Sequence, residues 1–379
     1  MLEIEKFHKQ EYGVLPEITV IHGGSFHILG ELCDFLNLPT LSVSVNLPLY
    51  LCLSPRKDSG YRFYDPVLQE SRRSTFSGLK FKKEDRWANY LKAAIYSFLK
   101  YGLDLKGLNV SVFSGIPHNC GIDSGVAMFF CMGFALKNLY VPEMSNENFY
   151  SVLREGCDNF MSFHFSSADF CKFMGGREGC FVLTNPKDKS WEKIPVSGDE
   201  MIVLTDSGLS FLSSKSEIEL RENKCSIAFS KFKKVLPGVS PEDYTPDIIS
   251  ESGVVLSEEE RRAVLYIIRE IQAVKEGGAA LQKSDLAGFS KVINNSHQGL
   301  RDLFEISCPE VDWLVRRVQE LEGTSCSRLI GRGLRGCTFS MIKKEVFDIY
   351  MEKLDEYERI FGFHPAIYRV KTSDSIKII

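Results

Sequence analysis

The chain has no C-x-x-C pair, no basic tail, no Gly-Lys-Ser/Thr closing a glycine loop and no apolar run long enough for a bilayer. Each gap removes a class of protein. The eleven cysteines are odd in number and scattered, so neither a zinc ribbon nor a disulfide framework is indicated and reduced, cytoplasmic thiols fit better. Lys plus Arg number 46 against 50 Asp plus Glu, a formal charge of −4, which argues against a nucleic-acid or anionic-membrane partner. The most apolar run, GVAMFFCMGFAL from Gly125 to Leu136, is too short to span a membrane, and the opening MLEIEKFHKQEYG is polar, so no export signal or anchor is expected. Tandem repeats and low-complexity stretches are absent as well. Small molecules remain as the expected clients, bound by a monomer.

What is present is ordinary for a globular protein: 44% apolar and 25% charged residues over 379 positions. That length exceeds the size at which one core stops growing, so two domains sharing a cleft are expected. ITVIHGG and TLSVSVNLPLYLCLS read as strands, with residues 22 to 37 as a loop between them. RWANYLKAAIYSFLKY has apolar residues at helical spacing, and LNVSVFSGIPHNCGIDSGVAMFFCMGFAL runs from strand through a small-residue loop into a helix. FVLTNPKDKSWEKIPV and MIVLTDSG predict further strands, and the boundary falls near residues 190 to 200, giving units 1–195 and 196–379. The second unit carries helical patterns at EEERRAVLYIIREIQAVKEG, LQKSDLAGFSKVINNSHQGLRDLF and CPEVDWLVRRVQELEG, then a helix from Lys343 to Phe361 and a short final strand.

Four stretches carry chemistry, each with a plainer alternative. In GIPHNCGIDSGVA, Gly115, Gly121 and Gly125 let backbone approach a ligand while the next helix offers its positive end; the alternative is an ordinary strand-to-helix turn. LIGRGLRGCT places Gly331, Gly333 and Gly336 around Arg332 and Arg335, side chains that suit phosphate or are simply solvated. Trp87 in RWANY either stacks on a base or anchors its helix in the core. Asp169 in SSADFCKFMGG either faces a cleft as a base or caps a helix.

In this order the stretches resemble the galactokinases, within the larger group called GHMP kinases. RWANY is identical to a segment of that family whose tryptophan packs by the adenine, and SHQGLRDLFEISCPEVDWLV resembles SH-x-SLRDDYEVSCPELDxLV. SRLIGRGLRGCT resembles SRMTGAGFGGCT, and IPHNCGIDSGVA resembles the phosphate loop VPxGAGLSSSAS. The resemblance implies an α+β fold of two lobes, each a mixed or antiparallel sheet backed by helices, with ATP and a sugar meeting in the cleft between them. It also assigns roles. Asp169 aligns with the base of CGxMDQ; Trp87, Gly121, Asp123, Ser124, Gly125, Gly333 and Arg335 fall on the nucleotide site; the hydroxyl of Ser124 falls on the Mg²⁺ site.

The family's sugar signature GRxNLIGEHxDY reads GSFHILGELCDF here, from Gly24 to Phe35. Glu31 and Asp34 stay as substrate ligands. The family's arginine falls on Ser25, its asparagine on His27, its sugar-contacting histidine on Leu32 and its sugar-contacting tyrosine on Ile218. A site built to hydrogen-bond a hydroxyl loses selectivity when its polar partner becomes apolar, so the expected acceptor is a small sugar or polyol, galactose or a related compound. In the phosphate loop three serines become Asp123-Ser124-Gly125, which sets a carboxylate where phosphates belong and calls for Arg332 and Arg335 as compensating charge. The resemblance therefore implies phosphoryl transfer from Mg·ATP; the alternative is a homologue that kept the fold and acts as a ligand sensor.

Overall fold

A computed structural model describes residues 1–33, 36–117, 121–161, 165–210, 215–322, 325–333 and 336–379. The chain opens with helix α1 (Glu3–Tyr12) and strands β1 (Ile18–Leu29), β2 (Thr40–Pro55), β3 (Gly60–Asp65) and β4 (Glu70–Thr75). Helix α2 (Ala88–Lys100), strand β5 (Leu108–Ser114), helices α3 (Ser124–Tyr140), α4 (Asn146–Phe160) and α5 (Ser167–Gly175), and strands β6 (Cys180–Asn185) and β7 (Ser190–Pro195) follow. The chain continues through β8 (Glu200–Asp206), α6 (Lys215–Val235), α7 (Pro246–Glu251), α8 (Glu258–Gln282), α9 (Leu286–Asp302) and α10 (Pro309–Gln319). It ends with β9 (Cys326–Ile330), β10 (Cys337–Lys343), α11 (Phe347–Phe361), β11 (Ala366–Val370) and β12 (Lys377–Ile378).

Two sheets organise these elements. The first has the order β12-β1-β2-β5-β3-β4, with β6 and then β7 added along the other end of β2, and only the β3–β5 pair is parallel. The second is the antiparallel sheet β11-β8-β10-β9. The strand β2 serves two partners because it is long: Thr40 to Ser42 pair with β6, and Leu49 to Pro55 pair with β5. Helix α3 is apolar nearly all round, as a helix buried between a sheet and other helices must be, and Phe129, Phe130, Cys131 and Met132 are all in the core. Helix α8 starts on a capping box, with Ser257 Oγ accepting from the Glu260 amide at 3.2 Å and Glu260 Oε2 accepting from the Ser257 amide at 2.8 Å.

The α+β, two-lobed expectation agrees with this architecture. Two details differ. Residues 22–29, expected as loop, belong to β1, which pairs with β2 as far as Leu29 opposite Leu41. The Gly23-Gly24 pair makes a bulge in the ladder, within the stretch expected as loop. The final strand is two strands: β11 joins the second sheet, and β12 crosses back to pair with β1 in the first. No disulfide joins the described cysteines, and among the described residues no helix is long and apolar enough to cross a membrane.

Candidate active site

The N-terminus of α5 brings Asp169 into a dense set of donors. Ser166 and Asp169 form a capping box: the Ser166 amide and hydroxyl each donate to Asp169 Oδ2 at 3.0 Å, and the Asp169 amide donates to Ser166 Oγ at 3.0 Å. The other carboxylate oxygen, Oδ1, accepts from Lys172 Nζ at 2.8 Å and from His27 Nε2 at 3.2 Å. Asp169 thus caps its helix and also faces charged neighbours, so the two readings of this residue coincide. Its side chain is 15% exposed and that of Lys172 11%. Burial works to raise the Asp169 pKa, but the Lys172 ammonium, the His27 hydrogen bond and Arg332 outweigh it and hold the carboxyl well below the usual carboxylate range.

His27 reaches Asp169 from β1, and the bulge at Gly23-Gly24 brings His22 toward the same buried cluster, where Ser25 Oγ lies 3.4 Å from His22 Nε2. Burial first, and then the Lys172 charge, pushes His27 down to about 4 and His22 to about 3. Burial alone pushes His8, bonded to Ser111 and Ser54 at 3.0 and 2.9 Å, down to about 4. All three are neutral in the native chain at pH 7, and the unfolded chain protonates near 6.5. Their stabilisation is therefore complete above pH 6.5 and is lost as pH falls from 6.5 toward 4. Buried Glu31, raised by burial, works in the opposite sense. At about 1.4 kcal/mol per pH unit for each proton, three histidines give a slope of roughly 4 kcal/mol per unit near pH 5. Urea midpoints measured at pH 7 and pH 5 check this; equal midpoints contradict it.

The other stretches converge on the same strand. Ile122 of the phosphate loop packs over Gly24, where a Cβ would meet its Cδ1 at 3.1 Å. Gly121, at φ +73°, lies against Gly331, at φ +77°, so closely that a Cβ on Gly331 would come within 2.6 Å of the Gly121 Cα. The phosphate loop and the β9–β10 turn thus touch through glycines. The Arg332 amide donates to the Glu31 carboxylate, and the Arg332 guanidinium pairs with Glu222 of α6 at 2.6 Å, so its charge is shared with that carboxylate. Asp123 is the N-cap of α3: its Oδ1 accepts from the amides of Gly125 and Val126 at 2.9 and 3.0 Å. Those amides are among the ones a phosphate at this helix end would take. Gly125 itself is required by packing, since a Cβ there would lie 2.4 Å from the Tyr90 ring.

Trp87 stands just before α2, 9% exposed and within a core that both sheets share, with its indole N–H donating to Glu70 at 3.2 Å. Leu32 and Ile218, the two positions of lost sugar contacts, meet in one apolar cluster with Phe229, Phe232 and Tyr244. Gly30, next to Glu31, is tied to α8 and β9: Glu270 accepts from the Gly30 amide at 2.8 Å and from Ser296 at 2.6 Å, and it pairs with Arg328 at 3.2 Å. Ser124 begins α3 and Gly333 ends the β9–β10 turn. Asp34 and Arg335 lie outside the described residues, as do residues 118–120 of the phosphate loop. Sequence reasoning placed His27 on the family's asparagine position without a role and did not single out Lys172. Lys172 sits one turn beyond Asp169 on the same helix face, a spacing that was readable; nothing in the sequence connects residue 27 with residue 169.

No family model matches the chain. A protein of Treponema pallidum (strain Nichols) named "Putative galactokinase" is 37% identical over 392 residues, covering 100% of this chain and 97% of that one. The galactokinase of Roseiflexus sp. (strain RS-1) is 25% identical, covering 99% and 96%. Among solved structures, Lactococcus lactis galactokinase complexed with galactose superposes with a TM-score of 0.90 at 18% identity, covering 98% of both chains. The Methanococcus jannaschii mevalonate kinase gives 0.63 at 13% identity, covering 94% of this chain and 98% of that one.

Proposed function

Because the chain belongs to the galactokinase family, we propose that it is an ATP-dependent kinase acting on a hydroxyl of a small sugar or polyol. The observation that carries this reading is the convergence of Asp169, Lys172 and His27 with the glycine contact between Gly121 and Gly331. The glycine approach, the positive end of α3 and the Lys172 ammonium are chemistry that fits a polyphosphate. Bound Mg·ATP supplies the phosphoryl group and the divalent charge that offsets its oxygens. Trp87, Gly121, Ser124, Gly125, Gly333 and Arg335 are the proposed nucleotide ligands, with the Ser124 hydroxyl toward Mg²⁺, and Asp123 lies among them as the cap of α3. Glu31 and Asp34 hold the acceptor.

Asp169 orients the acceptor hydroxyl and takes its proton. A carboxylate held so far down is a weak base, yet phosphoryl transfer with a loose transition state asks mainly for positioning and charge stabilisation. Leu32 and Ile218 present no hydrogen-bonding group to the acceptor, which favours a compound related to galactose over galactose itself. Thiols buried in the core, such as Cys131 and Cys326, suit a reducing cytoplasm, and a monomer suffices for this site. Incubation with Mg·ATP and a panel of sugars, deoxysugars and polyols tests the reading. ADP and a phosphate ester formed in equal amounts are the expected result; ATP untouched by every acceptor contradicts it.

One observation favours a ligand sensor: the Asp123 carboxylate occupies the Gly125 and Val126 amides and sets a like charge beside any phosphate. Asp123→Ser keeps a capping oxygen and removes the charge, so it is expected to tighten Mg·ATP binding about tenfold, or about 1.4 kcal/mol. Titration calorimetry measures this, and an unchanged or weaker affinity removes Asp123 as an obstacle to nucleotide.

A further inference from the structure

We propose that Lys172 is the catalytic cation of this site, binding the transferred phosphoryl group while it holds Asp169 in place. The inference rests on the kinase reading and deepens it, giving Lys172 a part in the transfer step itself. The neighbouring cations are committed elsewhere. Arg332 pairs with Glu222, and Arg328 is completely buried against Glu270 and the Ile28 carbonyl. Ser25, on β1 two residues from His27, brings no charge. Lys172 alone, among the described residues, sets an ammonium directly on Asp169, at 2.8 Å.

An ammonium has three N–H donors. Among the described residues, Lys172 makes one hydrogen bond, to Asp169, and lies 5.6 Å from the centre of the Phe173 ring. The remaining donors are free to meet anionic oxygens, and the low exposure of the side chain keeps water from screening them. The reach of this charge describes the site: it acts on His22 and His27 of β1, on Glu31, on Asp123 at the α3 cap and on Asp169. Arg332 from the β9–β10 turn acts on three of the same groups, His27, Glu31 and Asp169. A phosphoryl group passing from nucleotide to acceptor lies between the α3 cap and Asp169, the span that the Lys172 field covers.

The test compares wild type, Lys172→Arg and Lys172→Met in the full-length protein. With the best acceptor of the panel, Lys172→Met is expected to lower kcat by a hundredfold or more while the affinity for Mg·ATP, read by calorimetry, changes less than threefold. Lys172→Arg is expected to recover at least a tenth of wild-type kcat. A purely structural lysine would lower the melting temperature and leave kcat of the folded fraction intact, and Lys172→Met with kcat within threefold of wild type overturns the proposal. A second readout needs no turnover: in the ¹³C carboxyl titration of Asp169, Lys172→Met moves the midpoint upward and Lys172→Arg does not. A midpoint unmoved in Lys172→Met also overturns the proposal. Failure of the kinase reading is separate, since it appears as a wild type that phosphorylates nothing.

Discussion

Asp169→Asn is expected to lower turnover about a hundred- to ten-thousandfold, the usual contribution of a positioned proton acceptor. The substitution preserves size and leaves an oxygen for the Ser166 amide and hydroxyl, so the start of α5 survives. It removes the charge that balances Lys172. Removing one partner of a buried ion pair costs about 3–5 kcal/mol, and the low end applies here because the two side chains keep 15% and 11% exposure. Turnover is therefore to be normalised to folded protein by circular dichroism. Wild-type kcat in the folded fraction would remove Asp169 from the chemistry and leave it as a helix cap.

The largest effect on stability is expected at Arg328. Its side chain is 0% exposed, Glu270 is 1% exposed, and Arg328 also donates to the Ile28 carbonyl while Glu270 accepts from the Gly30 amide and Ser296. This pair joins the end of β1 to α8 and β9 and so fixes the turn that carries Glu31. Arg328→Met leaves the Glu270 carboxylate buried without its cation, a loss of about 3–5 kcal/mol. The double variant Arg328→Met with Glu270→Gln removes both charges and keeps an acceptor for Gly30, so it is expected to be more stable than Arg328→Met alone. Chemical denaturation of the four proteins of this cycle measures the coupling. A single variant as stable as wild type, or a double variant no better than Arg328→Met, contradicts the latch. Since Glu31 moves with that turn, KM for the acceptor is expected to rise more than kcat falls in the double variant.

Much of the fold was legible where local pattern and tertiary setting agree. The run from LNVSVFS into SGVAMFFCMGFAL became β5 and α3, and RWANYLKAAIYSFLKY became α2, because each shows its period plainly. The signature strand was misread at Gly23-Gly24, since glycines that serve a bulge and the close approach of Ile122 look like turn residues in sequence. Helix α6 was hidden for another reason: Leu220 and Ile227 are exposed while Ile218, Cys225 and Phe229 are buried, so apolar residues on both faces blur the period. The strand β12 was read as the end of the second lobe, and its place beside β1 depends on pairing across nearly the whole chain.

The site divides the same way. Asp169, Glu31 and the glycines of both loops stood out through ordered motifs, and the contact between Gly121 and Gly331 joins two of those loops. His27, on the family's asparagine position, and Lys172, within SSADFCKFMGG, lie in quoted stretches without an assigned role, and their importance appears through distance and burial beside Asp169. Leu32 and Ile218 were legible as changed residues but not as neighbours, because their shared apolar cluster brings Leu32, Cys33 and Leu38 against helices far later in the chain.

Diffraction from crystals grown with Mg²⁺ and a non-hydrolysable ATP analogue reads the site most directly. The predicted result is a terminal phosphate between the N-terminus of α3 and the Lys172 ammonium, with the Asp169 carboxylate beside it. A triphosphate bound away from α3, or Lys172 and Asp169 turned out of its reach, would contradict phosphoryl transfer at this site.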